Sequence, residues 1–193
     1  ATAVAGKWQL ALLGKDLQHP HRLGFDEYCL FGWHEGARYH DPLIWQNGKK
    51  REGTEGQYGP DLYVDFLIDF AERHRDQPFF VYVAYAMPHV PLHPSLKFAG
   101  GSVRGPYGDV IEEIDWSVGQ VLAKLEELGI LNHTLVVFSS DNGPWLAMRE
   151  HGGSAGILRE GKQFTFEGGQ RVPTLAMWPD VIEGGSVYDD LAL

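Results

Sequence analysis

The chain opens on small and β-branched residues: Ala1 to Val4 have the pattern of a strand end that runs into a turn at Gly6. From Leu10 to Arg51, histidine, glycine and tryptophan interrupt every period, so this segment is expected to be irregular. Gly59-Pro60 then marks a helix start, with proline in the first turn. Tyr63, Phe66, Leu67 and Phe70 recur at i, i+3, i+4 and i+7, which predicts a helix to Arg75 with one buried face, ended by Pro78. Phe79 to Tyr85 is an aromatic and β-branched run of strand length, expected to be buried on both faces. A loop rich in proline, histidine and glycine follows, from Pro88 to Pro106. Val110, Ile114, Val118, Val121, Leu122 and Leu125 stripe a second helix from Gly108 to Leu128, with Gly129 as its C-cap. Thr134 to Ser139 predicts another central strand, Gly143 to Gly169 no regular element, and Val172 to Trp178 a last short strand. This alternation predicts an α/β fold with a largely parallel sheet.

In open α/β sheets, ligands sit beyond the carboxyl ends of the strands. Three segments take that place: Gly6-Lys7-Trp8-Gln9, Met87-Pro88-His89-Val90-Pro91 and Asp141-Asn142-Gly143-Pro144.

Composition narrows the function. With 193 residues the chain suits one domain, and 44% hydrophobic residues exclude disorder as its general state. Sixteen basic against 26 acidic residues leave a net charge of −10, which argues against a nucleic-acid or anionic-membrane partner. No apolar run is long enough to span a membrane. The single cysteine, Cys29, excludes an intrachain disulfide and a cysteine-rich zinc site.

Each candidate group has an ordinary reading beside the chemical one. Asp141 and Asn142 offer two hard oxygen donors at a strand end, suited to calcium and less so to magnesium, yet Asp-Asn-Gly is also a common turn. His89 is stiffened by Pro88 and Pro91 and suits general acid work near neutral pH, but a packed histidine is the commoner case. Lys7 and Lys162 can neutralise an oxyanion, or can simply be solvated. Gly156 to Lys162 approaches a phosphate-binding loop, but Gln163 stands at its Ser/Thr position. Together these groups point to an anion-plus-metal site for hydrolysis of an oxyester.

In order along nearly the whole chain, the residues resemble the sulfatase family. Gly6-Lys7-Trp8-Gln9-Leu10 resembles its G-K-W-H-L segment, and Gly24-Phe25-Asp26-Glu27-Tyr28 its G-F-D-E-[FW]. Pro78-Phe79-Phe80-Val81, the His89 loop, Tyr107-Gly108-Asp109 through Asp115, Asp141-Asn142-Gly143, Gly161-Lys162 and Phe166-Glu167-Gly168-Gly169 with Arg171 and Pro173 follow the same family pattern. The resemblance implies an alkaline-phosphatase-like α/β fold, a mostly parallel sheet flanked by helices. It also implies sulfate-ester hydrolysis through a formylglycine and a bound calcium. Carried over by position, Asp141 and Asn142 would ligate the metal. Lys7 would contact the nucleophile and sulfate, and His89 and Lys162 the sulfate and leaving oxygen, with Gln9 in the substrate site.

Three departures stand out. Gln9 occupies the place of a histidine and cannot take up a proton. The C-x-P-S-R-type nucleophile segment is missing, and Cys29-Leu30-Phe31-Gly32-Trp33 does not replace it. The early acidic pair that completes the metal site is also missing. The expectation is a partial catalytic domain over residues 1–193, a central fragment with about half the site, incomplete at both ends and inactive alone. Asp189-Asp190-Leu191-Ala192-Leu193 would stop short of a further helix. A sheet cut at its first strand is expected to expose an apolar edge and lower solubility. The alternatives are a phosphoesterase of the same superfamily and a non-catalytic, decayed homologue. The expected partner is a sulfated small molecule or glycan. Trp33, His34, Arg38, Tyr39, His40 and Trp45 are either a sugar- or aryl-binding rim or a packed loop. By resemblance the protein is exported, to the periplasm, the extracellular space or the lysosome, and Asn132-His133-Thr134 fits a glycosylation pattern.

Overall fold

A computed structural model describes residues 1–188. The chain divides into two compact units, Ala1–Lys124 and the residues from Leu125 onward.

The first unit is built on a five-stranded sheet of order β4-β3-β2-β1-β5. Strands β1 (Thr2–Lys7), β2 (Glu27–Phe31) and β5 (Phe80–Ala84) are parallel, with β1 in the middle. The short strands β3 (Trp45–Gln46) and β4 (Lys49–Lys50) return antiparallel at one side. Their turn, Asn47-Gly48, has positive φ at both positions (46° and 85°), as a tight right-twisted hairpin requires. Tyr28 locks it: its backbone N–H donates to Asn47 Oδ1 at 2.6 Å, and its hydroxyl accepts from the Gly48 N–H at 2.8 Å.

Alternation along β1 sends Ala3 and Ala5 to one face and Val4 to the other. Over the alanine face lies α2 (Gly59–His74), which lays Leu62, Tyr63, Phe66, Leu67 and Phe70 on Ala3, Ala5, Cys29 and Phe31. Val110, Ile114 and Val118 of α3 (Gly105–Glu127) join the same cluster. Both helices follow the predicted stripes, and Gly129 (φ 70°) caps α3 through the Ile130 N–H on the Leu125 carbonyl at 3.0 Å. On the opposite face, Val4, Tyr28 and Leu30 pack with Trp8, Leu13, Phe25 and Trp45.

Three expectations change in this unit. Residues 10–51 are not irregular: they hold a 3-10 turn at Leu13–Lys15, the one-turn helix α1 (His19–Arg22), the buried strand β2 and the β3–β4 hairpin. The apolar run of β2 is too short to show a period, and its strand state comes from pairing along β1. Nor is β5 buried on both faces. Val81 and Val83 join the core, but Phe80 and Tyr82 are 58% and 53% exposed. Within this unit, the layer from residues 8–25 packs with Val4 of β1, Tyr28 and Leu30 of β2 and Trp45 of β3, a cluster that holds no residue of β5. Finally, β1 is not a cut edge; it pairs on both sides, and the exposed apolar strand is β5.

In the second unit, β6 (Val136–Ser139) and β7 (Thr174–Met177) pair antiparallel, in register from Val136↔Met177 to Ser139↔Thr174. The expected strands at 134–139 and 172–178 therefore exist, as a ladder of their own. Between them, residues 143–169 carry a 3-10 segment at Leu146–His151 and the start of the one-turn helix α4 (Glu167–Gln170), where no element was expected. The segment at 189–193 lies outside the described residues.

Candidate functional site

In the first unit the candidate groups gather at the carboxyl edge of the parallel strands. Lys7 ends β1 and pairs with Phe31 at the end of β2. The residue before it, Gly6, has φ 97°, and a Cβ there would stand 2.0 Å from the Ala84 carbonyl oxygen of β5. Only glycine permits that approach. Beyond Lys7 the buried Trp8 anchors the exit. Its backbone N–H donates to the Phe31 carbonyl at 3.0 Å, and its ring stands edge-on to His19 and Phe25. With Trp8 turned inward, Lys7 is half-buried and Gln9 exposed.

The loop after β5 is held from outside its own segment. The Tyr39 hydroxyl lies 3.2 Å from the His89 carbonyl and 3.4 Å from the Ala86 carbonyl, and donates between them. Burial holds this phenol above its ordinary pKa, so it stays a donor. Arg38 Nη2 donates to the Val90 carbonyl at 3.1 Å. The ring Nδ1 of His89 is 2.6 Å from the Val90 carbonyl. A carbonyl only accepts, so Nδ1 carries a proton and faces the Val90 backbone.

In the second unit, glycines draw the other candidates together. The turn Asp141-Asn142-Gly143 follows β6, and the Gly143 N–H donates to the Gly169 carbonyl at 2.9 Å. The next carbonyl, of Pro144, accepts from the Lys162 N–H at 2.9 Å. A Cβ at Gly143 would stand 1.7 Å from the Gly168 carbonyl oxygen, and one at Gly161 would stand 2.3 Å from that of Pro144. Three glycine-lined backbones thus cross at van der Waals distance, and Lys162 is fixed to the strand-end turn. The Lys162 ammonium lies 5.4 Å from the Trp145 ring centroid, within cation–π range. Asp141 is exposed and Asn142 half-buried, and neither side chain hydrogen-bonds another described residue.

So Lys7, Gln9 and His89 belong to one unit and Asp141, Asn142 and Lys162 to the other. The aromatic and basic segment divides as well. Tyr39 is buried, Arg38 is engaged with the His89 loop, and Trp45 Nε1 donates to Glu35 Oε2 at 3.0 Å, while Trp33 and His34 stay exposed. The sequence reading did not find the anchoring roles of Tyr39 and Glu35, because both act across 10 to 50 residues and leave no local pattern. Cys29 is fully buried in β2, and burial pushes its thiol up to about 12, so it cannot supply a reactive sulfur.

The sulfatase family profile matches residues 1–190. The chain belongs to the sulfatase family. Over 210 residues it is 39% identical to mouse N-acetylgalactosamine-6-sulfatase, covering 97% of this chain and 39% of that protein. It is 46% identical to rat steryl-sulfatase over 127 residues, 63% of this chain and 22% of that one. It thus spans about two fifths or less of these relatives. Among solved structures, Ps i-CgsB in complex with k-i-k-neocarrahexaose superposes with a TM-score of 0.81 at 28% identity, covering 93% of this chain and 45% of that one. The PsFucS1 sulfatase from Pseudoalteromonas sp. gives 0.76 at 27%, covering 94% and 43%. The α/β fold is the one these structures share; this chain's five-stranded sheet is mixed rather than mostly parallel, because β3 and β4 return antiparallel beside the parallel strands β2, β1 and β5.

In this sulfatase chain the donors fit a hard cation. A carboxylate and an amide oxygen on adjacent residues of one turn, without competing hydrogen bonds among the described residues, are the ligand type that calcium takes. Among the described residues, no group of three or more His, Cys, Asp and Glu side chains is placed to hold a metal. Cys29 offers no seat for a formylglycine, since it lies inside a paired strand with no access to solvent.

Proposed function

We propose that the protein containing this chain hydrolyses sulfate esters, with Lys7, Gln9, His89 and Lys162 handling the sulfate and Asp141 and Asn142 holding calcium. The observation that carries this reading is the glycine knot, where one backbone crossing fixes Lys162 to the Asp141-Asn142 turn. Calcium would supply positive charge at the sulfate oxygens, and a formylglycine at a residue other than Cys29 would supply the nucleophilic oxygen.

The chain's own side chains do the rest. The ammonium groups of Lys7 and Lys162 neutralise sulfate oxygens as charge shifts onto them. Gln9 donates a hydrogen bond to the same anion and moves no proton. His89 is oriented through Nδ1 on the Val90 carbonyl, so the Nε2 proton is the one that passes to the leaving alcohol oxygen. The substrate is a sulfated saccharide or small molecule, in keeping with relatives named for N-acetylgalactosamine 6-sulfate and sterol substrates.

The protein is exported, as the family resemblance implies. No helix of the described residues is long and apolar enough to cross a membrane. In the Asn132-His133-Thr134 pattern, the acceptor amide is already engaged: Asn132 Nδ2 donates to Asp180 Oδ2 at 3.1 Å.

Steady-state assays of the full-length protein on 4-nitrocatechol sulfate and N-acetylgalactosamine 6-sulfate test the reading. Lys162→Ala and His89→Ala should each lower kcat/KM by about 10²–10⁴-fold. Wild-type rates in both variants would remove the assignment. A preference for 4-nitrophenyl phosphate would move the protein to the phosphoesterases.

A further inference from the structure

We propose that Trp33 and His34 form the platform on which the sugar ring of a sulfated saccharide lies, so that this turn selects glycan esters over other sulfates. The proposal rests on the sulfate-ester reading and names the substrate class of that site. The turn Gly32–Glu35 leaves the end of β2, whose last residue, Phe31, is paired with Lys7. It therefore rises from the carboxyl edge beside the lysine assigned to the sulfate.

A single carboxylate sets the shape of the turn. Glu35 Oε1 accepts from the Gly14 N–H at 2.8 Å, and Oε2 accepts from Trp45 Nε1 at 3.0 Å. A Cβ on Gly32 would stand 1.9 Å from Oε2, so the carboxylate folds back over the turn only because residue 32 is glycine. With Glu35 turned inward, Trp33 and His34 form the apex. Trp33 is 46% exposed, whereas Trp8 is 4% exposed. His34 is exposed and sits at φ 53°, a left-handed conformation that is uncommon outside glycine and in which histidine is among the enriched residues. The two rings meet edge to face, centroids 5.3 Å apart and planes at 78°.

That geometry complements a pyranose. One face of the sugar is lined by C–H groups and its rim by hydroxyls. An indole held open to solvent packs on the C–H face, and an imidazole standing at right angles offers ring nitrogens to the rim. The turn is fixed before any ligand arrives, so little ordering is lost on binding.

Titration calorimetry of the full-length protein with two probes, inorganic sulfate and N-acetylgalactosamine 6-sulfate, tests this. Trp33→Ala should weaken saccharide binding by about tenfold or more and sulfate binding by less than about twofold. Trp33→Phe should restore most of the saccharide affinity. His34→Gly relaxes the left-handed backbone and so keeps the fold, and it should weaken the saccharide alone, by about threefold or more. Saccharide affinity unchanged in both Trp33→Ala and His34→Gly would overturn the platform while leaving the sulfate site intact. A wild-type protein that binds neither probe would remove the parent reading, and the platform with it. Inorganic sulfate separates the two failures, because it needs no ring to stack on.

Discussion

Gly6 and Gly143 do equivalent work in the two units: each lets a strand end run against a neighbouring backbone carbonyl, and each precedes or follows candidate site residues directly. At Gly6 the added methyl of alanine would meet the Ala84 carbonyl oxygen at 2.0 Å while φ sits at 97°. Side chain and backbone are then both strained. Gly6→Ala should lower the unfolding free energy by more than about 1 kcal/mol, read from urea denaturation, because neither the β5 backbone nor the left-handed φ can yield cheaply. A variant as stable as wild type would show that β1 and β5 separate easily at this edge. The same logic explains why the glycines of the 143–169 segment carry structure without regular secondary structure. Their pattern in sequence signals a loop, whereas the crossing they permit is a contact over 25 residues.

At the level of elements, the sheet and its covering helix are tied by a fork. Arg73 in the last turn of α2 donates from Nη1 to Glu27 Oε1 and from Nη2 to Glu27 Oε2, both at 2.8 Å, at the start of β2. Its Nε reaches Asp69 at 2.8 Å. These bonds hold the Glu27 carboxyl below its ordinary pKa, with Arg73 the chief cause and burial opposing it. A carboxylate with a lowered folded pKa contributes stability that is complete above the unfolded value of 4.5 and is lost as pH falls through the folded one. Arg73 is 43% exposed at its side chain, so water screens the pair. Arg73→Met should then cost about 1 kcal/mol at pH 7, and the gap to wild type should narrow at an acid pH below 4.5. Urea titrations at the two pH values measure it. A gap unchanged at acid pH would assign the loss to packing of the arginine stem. The helices α2 and α3 were legible from periodicity because each buries a stripe against many partners. The strand β2 was not, because four apolar residues between charged and glycine-rich neighbours specify a strand only when β1 is alongside.

For the molecule as a whole, the candidate groups fall into two units, with Lys7, Gln9 and His89, proposed for the anion, in the first and Asp141, Asn142 and Lys162, proposed for the metal and the anion, in the second. A ligand that binds the folded state alone raises its stability, by about 2.7 kcal/mol at a hundred times the dissociation constant. Calcium should therefore raise the melting temperature of the wild-type protein over a chelator-treated sample and should leave that of Asp141→Ala unchanged. Identical melting curves with calcium and with chelator would remove the metal assignment, whatever the activity. Apolar strand residues are exposed in both units: Phe80 and Tyr82 on β5, Val137 on β6 and Leu175 on β7. Exposed strands of this kind promote association.

By itself the sequence determined the family, the two amphipathic helices, the cap at Gly129 and the identity of the candidate groups. Those are local properties: a period, a proline or glycine at a fixed offset, an ordered set of short motifs. Tertiary structure alone decided that Tyr39 and Arg38 hold the His89 loop, that Glu35 sets the turn carrying Trp33 and His34, and that Cys29 is inert. It also decided that Lys162 is fixed to the Asp141 turn. Each of these depends on a hydrogen bond, a close approach or a loss of solvent between residues far apart in the chain. Such contacts exist only once the backbone has brought the partners together.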